Sequence, residues 1–241
     1  MKAAFLALVA SAALPLAACH GETSGDAAFG AKVRAYLLAH PEVLQETAKR
    51  LDAKLADDET AAERRGAARL PALRAAVERD LGDFVAHPNG KITVTEFFDY
   101  RCAHCVNAAP RVIALIRARP DVRFVFKEMP IFGPVSEHAA RAALAVKAIG
   151  GDYLGVYAAF MSIRGLNDDA IDAIVRQKGV ISVPDTDLHL TKNAALFTQL
   201  GLGGTPAFIV GDQIVYGEDM DAVEAAVGRI QASRAARVAT R

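Results

Sequence analysis

The chain has 241 residues, and its 28 Lys and Arg balance 28 Asp and Glu. A net charge of zero gives no reason to expect nucleic acid as a partner. After loss of an N-terminal signal, the length suits one domain plus an appendage.

Met1-Lys2-Ala3-Ala4-Phe5-Leu6-Ala7-Leu8-Val9-Ala10 carries one positive charge and then an apolar run to about Leu16. This predicts a secretory signal over residues 1–18, too short for a membrane span. Leu16-Ala17-Ala18-Cys19 resembles the lipobox of bacterial lipoproteins, which implies cleavage before Cys19 and lipid on its thiol. Ordinary cleavage near the same alanines is the alternative. It leaves Cys19 lost or unpaired, and an unpaired thiol is a liability in an oxidising compartment. The expected location is the periplasm, with a membrane anchor at Cys19.

Residues 19–69 read as a tether followed by an N-terminal helical segment. Gly21 to Ala28 is small and polar. Phe29, Val33, Tyr36, Leu37, Val43, Leu44, Leu51 and Leu55 then recur at largely helical spacing. His40-Pro41 breaks the run, with Pro41 suited to the first turn of a second helix. Two short helices cannot build a core alone, so they pack on the rest of the chain or on copies of themselves. Between Leu55 and Leu70 every residue is charged, polar, Ala or Gly, which predicts a solvent-exposed helical spacer. Such a spacer favours self-association of the first segment into a dimer or trimer; a stalk folded back on its own domain is the alternative.

Residues 70–241 read as the main domain. Leu70, Leu73, Val77, Leu81 and Phe84 predict an amphipathic helix packed on it, and His87-Pro88-Asn89-Gly90 a turn. Ile92, Val94, Glu96 and Phe98 alternate with Thr93, Thr95, Phe97 and Asp99, the pattern of a strand. Cys102-Ala103-His104-Cys105 follows and opens a helix through Val106, Val112, Ile113, Leu115 and Ile116, which Pro110 is expected to kink. Asp121 to Lys127 alternates again, with Val122, Phe124 and Phe126 on one face, so strand, helix and strand make a right-handed βαβ unit. Ser136 to about Leu200 is helical in pattern, with breaks at Gly150-Gly151, Gly165 to Asp168 and Val183-Pro184. Two runs, 207–210 and 213–216, joined by Gly211-Asp212, predict a hairpin. Met220, Val223, Val227 and Ile230 mark a closing helix, and Arg234, Arg237 and Arg241 a solvated basic tail.

Two thiols two residues apart are the minimum apparatus for moving a disulfide. A thiolate at a helix N-terminus is stabilised by unpaired N–H groups and the helix dipole, which brings cysteine pKa values in such motifs to roughly 3.5–7. Cys102 is therefore the expected attacking thiol. Cys105, one turn in and less exposed, resolves the mixed disulfide. A zinc site lacks a second CxxC or a paired His motif, and a haem attachment site needs His where Val106 stands. A purely structural disulfide closing so short a loop adds little stability. Glu96 falls on the apolar face between Val94 and Phe98, where burial raises a carboxyl pKa and allows proton exchange with Cys105; the alternative is a carboxylate at a solvated strand end.

The run Glu96-Phe97-Phe98-Asp99-Tyr100-Arg101-Cys102-Ala103-His104-Cys105, with Pro110 and Gly204-Thr205-Pro206-Ala207-Phe208, resembles bacterial DsbA-type thiol:disulfide interchange proteins. The resemblance spans about Leu70 to Ile230. It implies an α/β class, a thioredoxin fold with an inserted helical domain at about 136–200, here preceded by an N-terminal helical stalk. Val33-Arg34-Ala35-Tyr36-Leu37-Leu38 and His40-Pro41-Glu42-Val43-Leu44 are similar to the ScsC-like subgroup, whose N-terminal region can oligomerise the catalytic domains. The family implies Cys102 as exposed nucleophile, Cys105 as resolving thiol, and His104 as a further stabiliser of the thiolate. It also implies Thr205-Pro206 as a cis-proline loop offering backbone groups to an extended substrate. No cofactor is implied beyond the Cys102–Cys105 disulfide. Partners would be unfolded or wrongly disulfide-bonded exported proteins and a membrane redox partner. Ala103 departs from the Pro common in the strongest oxidants, which leaves the direction of electron flow open between isomerase and oxidase. A soft-metal (copper) protein using Cys102, Cys105 and His104 is the reading from another class.

Overall fold

The computed structural model describes residues 24–181 and 187–239. The signal segment, Cys19, the Val183-Pro184 break and Arg241 lie outside them. Two compact units divide the chain between Ala56 and Asp57.

The first unit holds helix α1 (Ser24–Ala39) and the beginning of α2 (Pro41–Glu78). α1 starts at Ser24 rather than Phe29, so 24–28 is helix, not tether; Asp26 in its first turn complements the positive end of the helix. His40 separates the helices while its N–H still closes on Tyr36 O at 2.9 Å. Pro41 then opens α2, where its missing N–H leaves nothing unpaired. The large apolar side chains of this unit stay exposed: Phe29 by 68%, and likewise Tyr36, Leu38, Leu44, Leu51 and Leu55.

In the second unit, α2 runs without interruption from Asp57 through Pro71 to Glu78. The expected solvent-exposed spacer is therefore only partly so. A Cβ at Gly66 would stand 2.4 Å from the Leu200 carbonyl oxygen and 2.8 Å from Ile214 Cδ1. Arg69 donates to Gln199 O at 2.6 Å. This stretch docks through small residues at close backbone approach, which leaves no apolar stripe in the sequence. The helix also ends earlier than the stripe to Phe84 predicts. The Asp80 carboxylate accepts the Gly82 N–H at 2.8 Å in a turn, Leu81 is exposed, and Phe84 opens a short strand, β1 (Phe84–Ala86).

Among the described residues, five strands lie in the order β1-β3-β2-β4-β5, where β2 is Ile92–Phe98, β3 Val122–Glu128, β4 Ala207–Val210 and β5 Gln213–Tyr216. Only β2 and β3 pair in parallel, and α3 (Ala103–Ala118) connects them. β2 is central, so both of its faces are covered. Val94 and Phe98 join a core built with α3, α5 (Tyr153–Ser162), α6 (Asp168–Gln177) and α8 (Met220–Ala239). Phe97 and Ile209 face Leu70 and Val77 of α2 and Leu196 and Phe197 of α7 (Asp187–Gln199). The strand alternation seen in the sequence thus separates two cores rather than a core from solvent. α4 (Pro134–Ala148) precedes α5 and lines the first core. Arg234 and Arg237 are exposed on α8, so the basic tail is helical. No helix among the described residues is long and apolar enough to cross a membrane.

Candidate active site

β2 delivers the chain to the site, and Asp99 fixes the turn that follows. Its two carboxylate oxygens accept the Arg101 N–H (2.7 Å), the Ile131 N–H (2.7 Å), the Phe132 N–H (3.0 Å) and the Ser136 hydroxyl (2.8 Å). One side chain thereby ties the approach to Cys102 to the loop after β3. Cys102 is the N-cap of α3, in extended conformation, and no side chain caps the helix there.

Cys102 and Cys105 are free thiols, 3% and 0% exposed. The expected exposed nucleophile is thus covered, because the loop at Thr205-Pro206 lies over it. The Thr205–Pro206 peptide is cis, and the Cys102 thiol donates to the Thr205 carbonyl at 3.0 Å. The Cys102 pKa is lowered to about 5. The largest cause is the hydrogen bond with the Cys105 thiol. The Thr205 side chain and the backbone N–H groups of Cys105 and His104 add to it, and burial opposes it. While the Cys102 S–H points at the carbonyl, the buried Thr205 hydroxyl has no well-aligned partner among the described residues, so it is available to donate to a thiolate. Burial, then the bond to Cys102, push the Cys105 thiol up, and the Glu96 charge adds to this.

Glu96 is fully buried, and burial pushes its carboxyl up to about 8. The Tyr157 hydroxyl donates to it at 3.3 Å and partly offsets that rise. His104 stands at the surface with its ring Nδ1 3.7 Å from Glu218 Oε1. Its backbone N–H, rather than its ring, is among the groups that stabilise the Cys102 thiolate. The structure therefore gathers Cys102, Cys105, Glu96, Thr205 and Pro206 at one end of the sheet and turns the His104 side chain toward Glu218. Among the described residues, no group of three or more His, Cys, Asp or Glu could hold a metal ion.

Two carboxyls of this region escape sequence reasoning, Asp99 and Glu128. Glu128 sits beside Phe98 in the β2–β3 register and accepts the Tyr100 and Tyr153 hydroxyls at 2.9 and 2.7 Å. Burial, the leading cause, holds it well above the usual carboxylate range. The available signal was an acidic residue closing each of two adjacent apolar strands; the phenol partners, Tyr100 in the loop after β2 and Tyr153 on α5, gave none.

The DSBA-like thioredoxin domain family matches residues 93–228. The chain belongs to the DsbA-like thioredoxin family. Residues 26–57 match the copper resistance protein ScsC N-terminal domain. Among solved structures, a thioredoxin-like oxidoreductase from Silicibacter pomeroyi DSS-3 is 36% identical, with TM-score 0.61 over 66% of this chain and 97% of that one. Proteus mirabilis ScsC in a transitional conformation is 26% identical, with TM-score 0.65 over 88% and 98%. The thiol-disulfide exchange protein alpha-DsbA2 from Wolbachia pipientis is 25% identical, with TM-score 0.62 over 70% and 98%. No curated protein gives a match. This DsbA-like protein has the fold of a thiol–disulfide oxidoreductase, preceded by an ScsC-type N-terminal segment.

Proposed function

We propose that the protein is an exported thiol–disulfide interchange enzyme in which Cys102 attacks and Cys105 resolves, and that its assembled form shuffles wrong disulfides in client proteins. The observation that carries this reading is the asymmetry of the two thiols. Cys102 has a pKa lowered to about 5 beside the cis-proline loop, whereas Cys105 is sealed in with its pKa raised. At neutral pH the first is a thiolate and the second keeps its proton.

The Cys102 thiolate attacks a client disulfide, forms a mixed disulfide and expels one client sulfur as a thiolate that takes a proton from water. Two exits follow. A second client thiolate can attack the client sulfur, releasing Cys102 unchanged and completing an isomerisation. Alternatively Cys105 passes its proton to the Glu96 carboxylate and attacks Cys102, leaving a Cys102–Cys105 disulfide and a reduced client. Glu96, with a pKa of about 8, has both forms within reach near neutrality and suits that transfer. Thr205 and Pro206 present backbone to the extended client while this happens.

The exposed apolar residues of the first unit, from Phe29 to Leu55, support a homo-oligomer, and several catalytic faces around one client favour shuffling over simple oxidation. The N-terminal sequence supports export to the periplasm and lipid attachment at Cys19. The test is trapping: Cys105→Ser should accumulate mixed disulfides with client proteins and Cys102→Ser should not. Trapping by the Cys102 variant instead would reverse the roles.

A further inference from the structure

Beside the two thiols lies a cleft of about 270 Å³. It is built on the residues that flank Cys102: Tyr100, Arg101 and Ala103 form one wall, continued by Val106 and Asn107 of α3. The turn between α5 and α6 supplies the other wall, with Ile163, Arg164 and Leu166. Gly165, at φ +70°, allows that turn. The floor is therefore apolar and the rim carries two guanidinium groups. The volume is below that of ordinary cofactor sites and suits a side chain or two of a peptide.

Among the described residues, no acidic side chain pairs with either guanidinium. No carboxylate lines the cleft, and Arg101 binds only a backbone carbonyl, that of Phe132, at 3.3 Å. Arg111, Arg119 and Arg141 of the same unit, by contrast, meet acids: Asp221 and Glu224, Asp121, and Asp187 in turn. Asp99 fixes the backbone on both sides of that contact, accepting the N–H groups of Arg101 and of Phe132. Beyond Arg101, whose partner is the Phe132 carbonyl, the side chains of Ile131 and Phe132 stand half exposed.

We propose that this cleft seats the residue neighbouring the reacting cysteine of a client, and that Arg101 and Arg164 make it selective for a carboxylate there. The inference rests on the thiol–disulfide reading and adds a substrate preference to it: clients in which an acidic side chain adjoins the cysteine, with apolar residues to either side. Guanidinium groups bind carboxylates in a fixed, two-pronged geometry, which gives specificity as well as attraction. Charges placed at the mouth of a site act mainly on the rate of productive encounter.

The experiment uses the full-length reduced protein and short peptides whose cysteine is disulfide-bonded to a chromophoric aryl thiol. The position next to the cysteine is Glu, Gln or Lys. Cys102 attacks the peptide sulfur, the aryl thiolate leaves and is read by its absorbance, and Cys105 then releases the reduced peptide. Each rate is divided by the rate of the same peptide with dithiothreitol, which removes differences in intrinsic reactivity. The expected order is Glu, then Gln, then Lys, with Glu about fivefold above Gln. The advantage should shrink as salt screens the rim. Arg164→Glu, in an exposed turn, should invert the order so that Lys leads. A flat order in the wild-type protein overturns the proposal, as does an order that survives Arg164→Glu. Reaction with none of the peptides overturns the thiol–disulfide reading itself, so the two failures are told apart by the Gln peptide.

Discussion

At the scale of single residues, the site depends on which groups can meet the Cys102 sulfur. The Thr205 side chain contributes to its lowered pKa, so Thr205→Val should raise that pKa above about 5. A less stable thiolate means a less stable reduced form, and the disulfide becomes a weaker oxidant. Ultraviolet titration of the thiolate and equilibration with glutathione would check both signs. Glu96 gives a pH signature in stability. The folded chain keeps its proton up to about pH 8, whereas the unfolded chain releases it near the ordinary carboxyl value of 4.5. The folded state therefore binds more protons across that window, and stability falls as pH rises through it. Glu96→Gln should flatten this slope and gain on the order of 1–3 kcal/mol at alkaline pH, measured by denaturant midpoints on both sides of the window. In resolution assays the same variant should lose the rise in rate that accompanies Glu96 ionisation. The two cysteines and the buried glutamate were legible in the sequence because spacing and strand alternation place them. Asp99 was not, since its partners at Ile131, Phe132 and Ser136 lie more than thirty residues away.

At the scale of elements, the strands and helices that carry the site could be read from periodicity, and the errors cluster where α2 meets the sheet. Leu81 and Phe84 continue a 3.6-residue stripe past the helix end, yet Leu81 faces solvent and Phe84 belongs to β1. β1, with three residues, is too short for alternation to show. The opposite error occurs at Gly66, where an absent apolar stripe concealed a packed surface. A glycine-mediated contact stabilises through close approach of backbone, and such proximity has no hydrophobic signature. Gly66→Ala should force the added methyl against the Leu200 carbonyl and Ile214. The expected cost is about 1–3 kcal/mol, seen as a lower midpoint in chemical denaturation. The thiolate titration should stay unchanged, because Gly66 is no part of the Cys102 environment.

At the scale of the whole molecule, the chain divides between Ala56 and Asp57, and on the proposed function a cut there separates assembly from chemistry. A cut at Leu70 would strip the packed stretch around Gly66 from the catalytic unit, so the informative chain starts at Asp57. Compared with the mature protein, it should be monomeric by light scattering and lose most of its refolding activity on a scrambled-disulfide substrate. Its reaction with a small disulfide should be retained. Equal shuffling by both chains would make simple oxidation the better account. The bond from the Cys102 thiol to the Thr205 carbonyl also has a bearing on how clients come and go. On the proposed function, the protein's own sulfur occupies, in the reduced, protonated state, the acceptor to which a client's backbone would attach, so the empty protein is self-stoppered. Ionisation removes the stopper and creates the nucleophile in one event, which couples docking to readiness to react. An extended, cysteine-free peptide should therefore bind the reduced protein more weakly as pH falls through about 5. Its affinity for the oxidised protein, which has no such proton, should be level over the same range, as calorimetric titration would record.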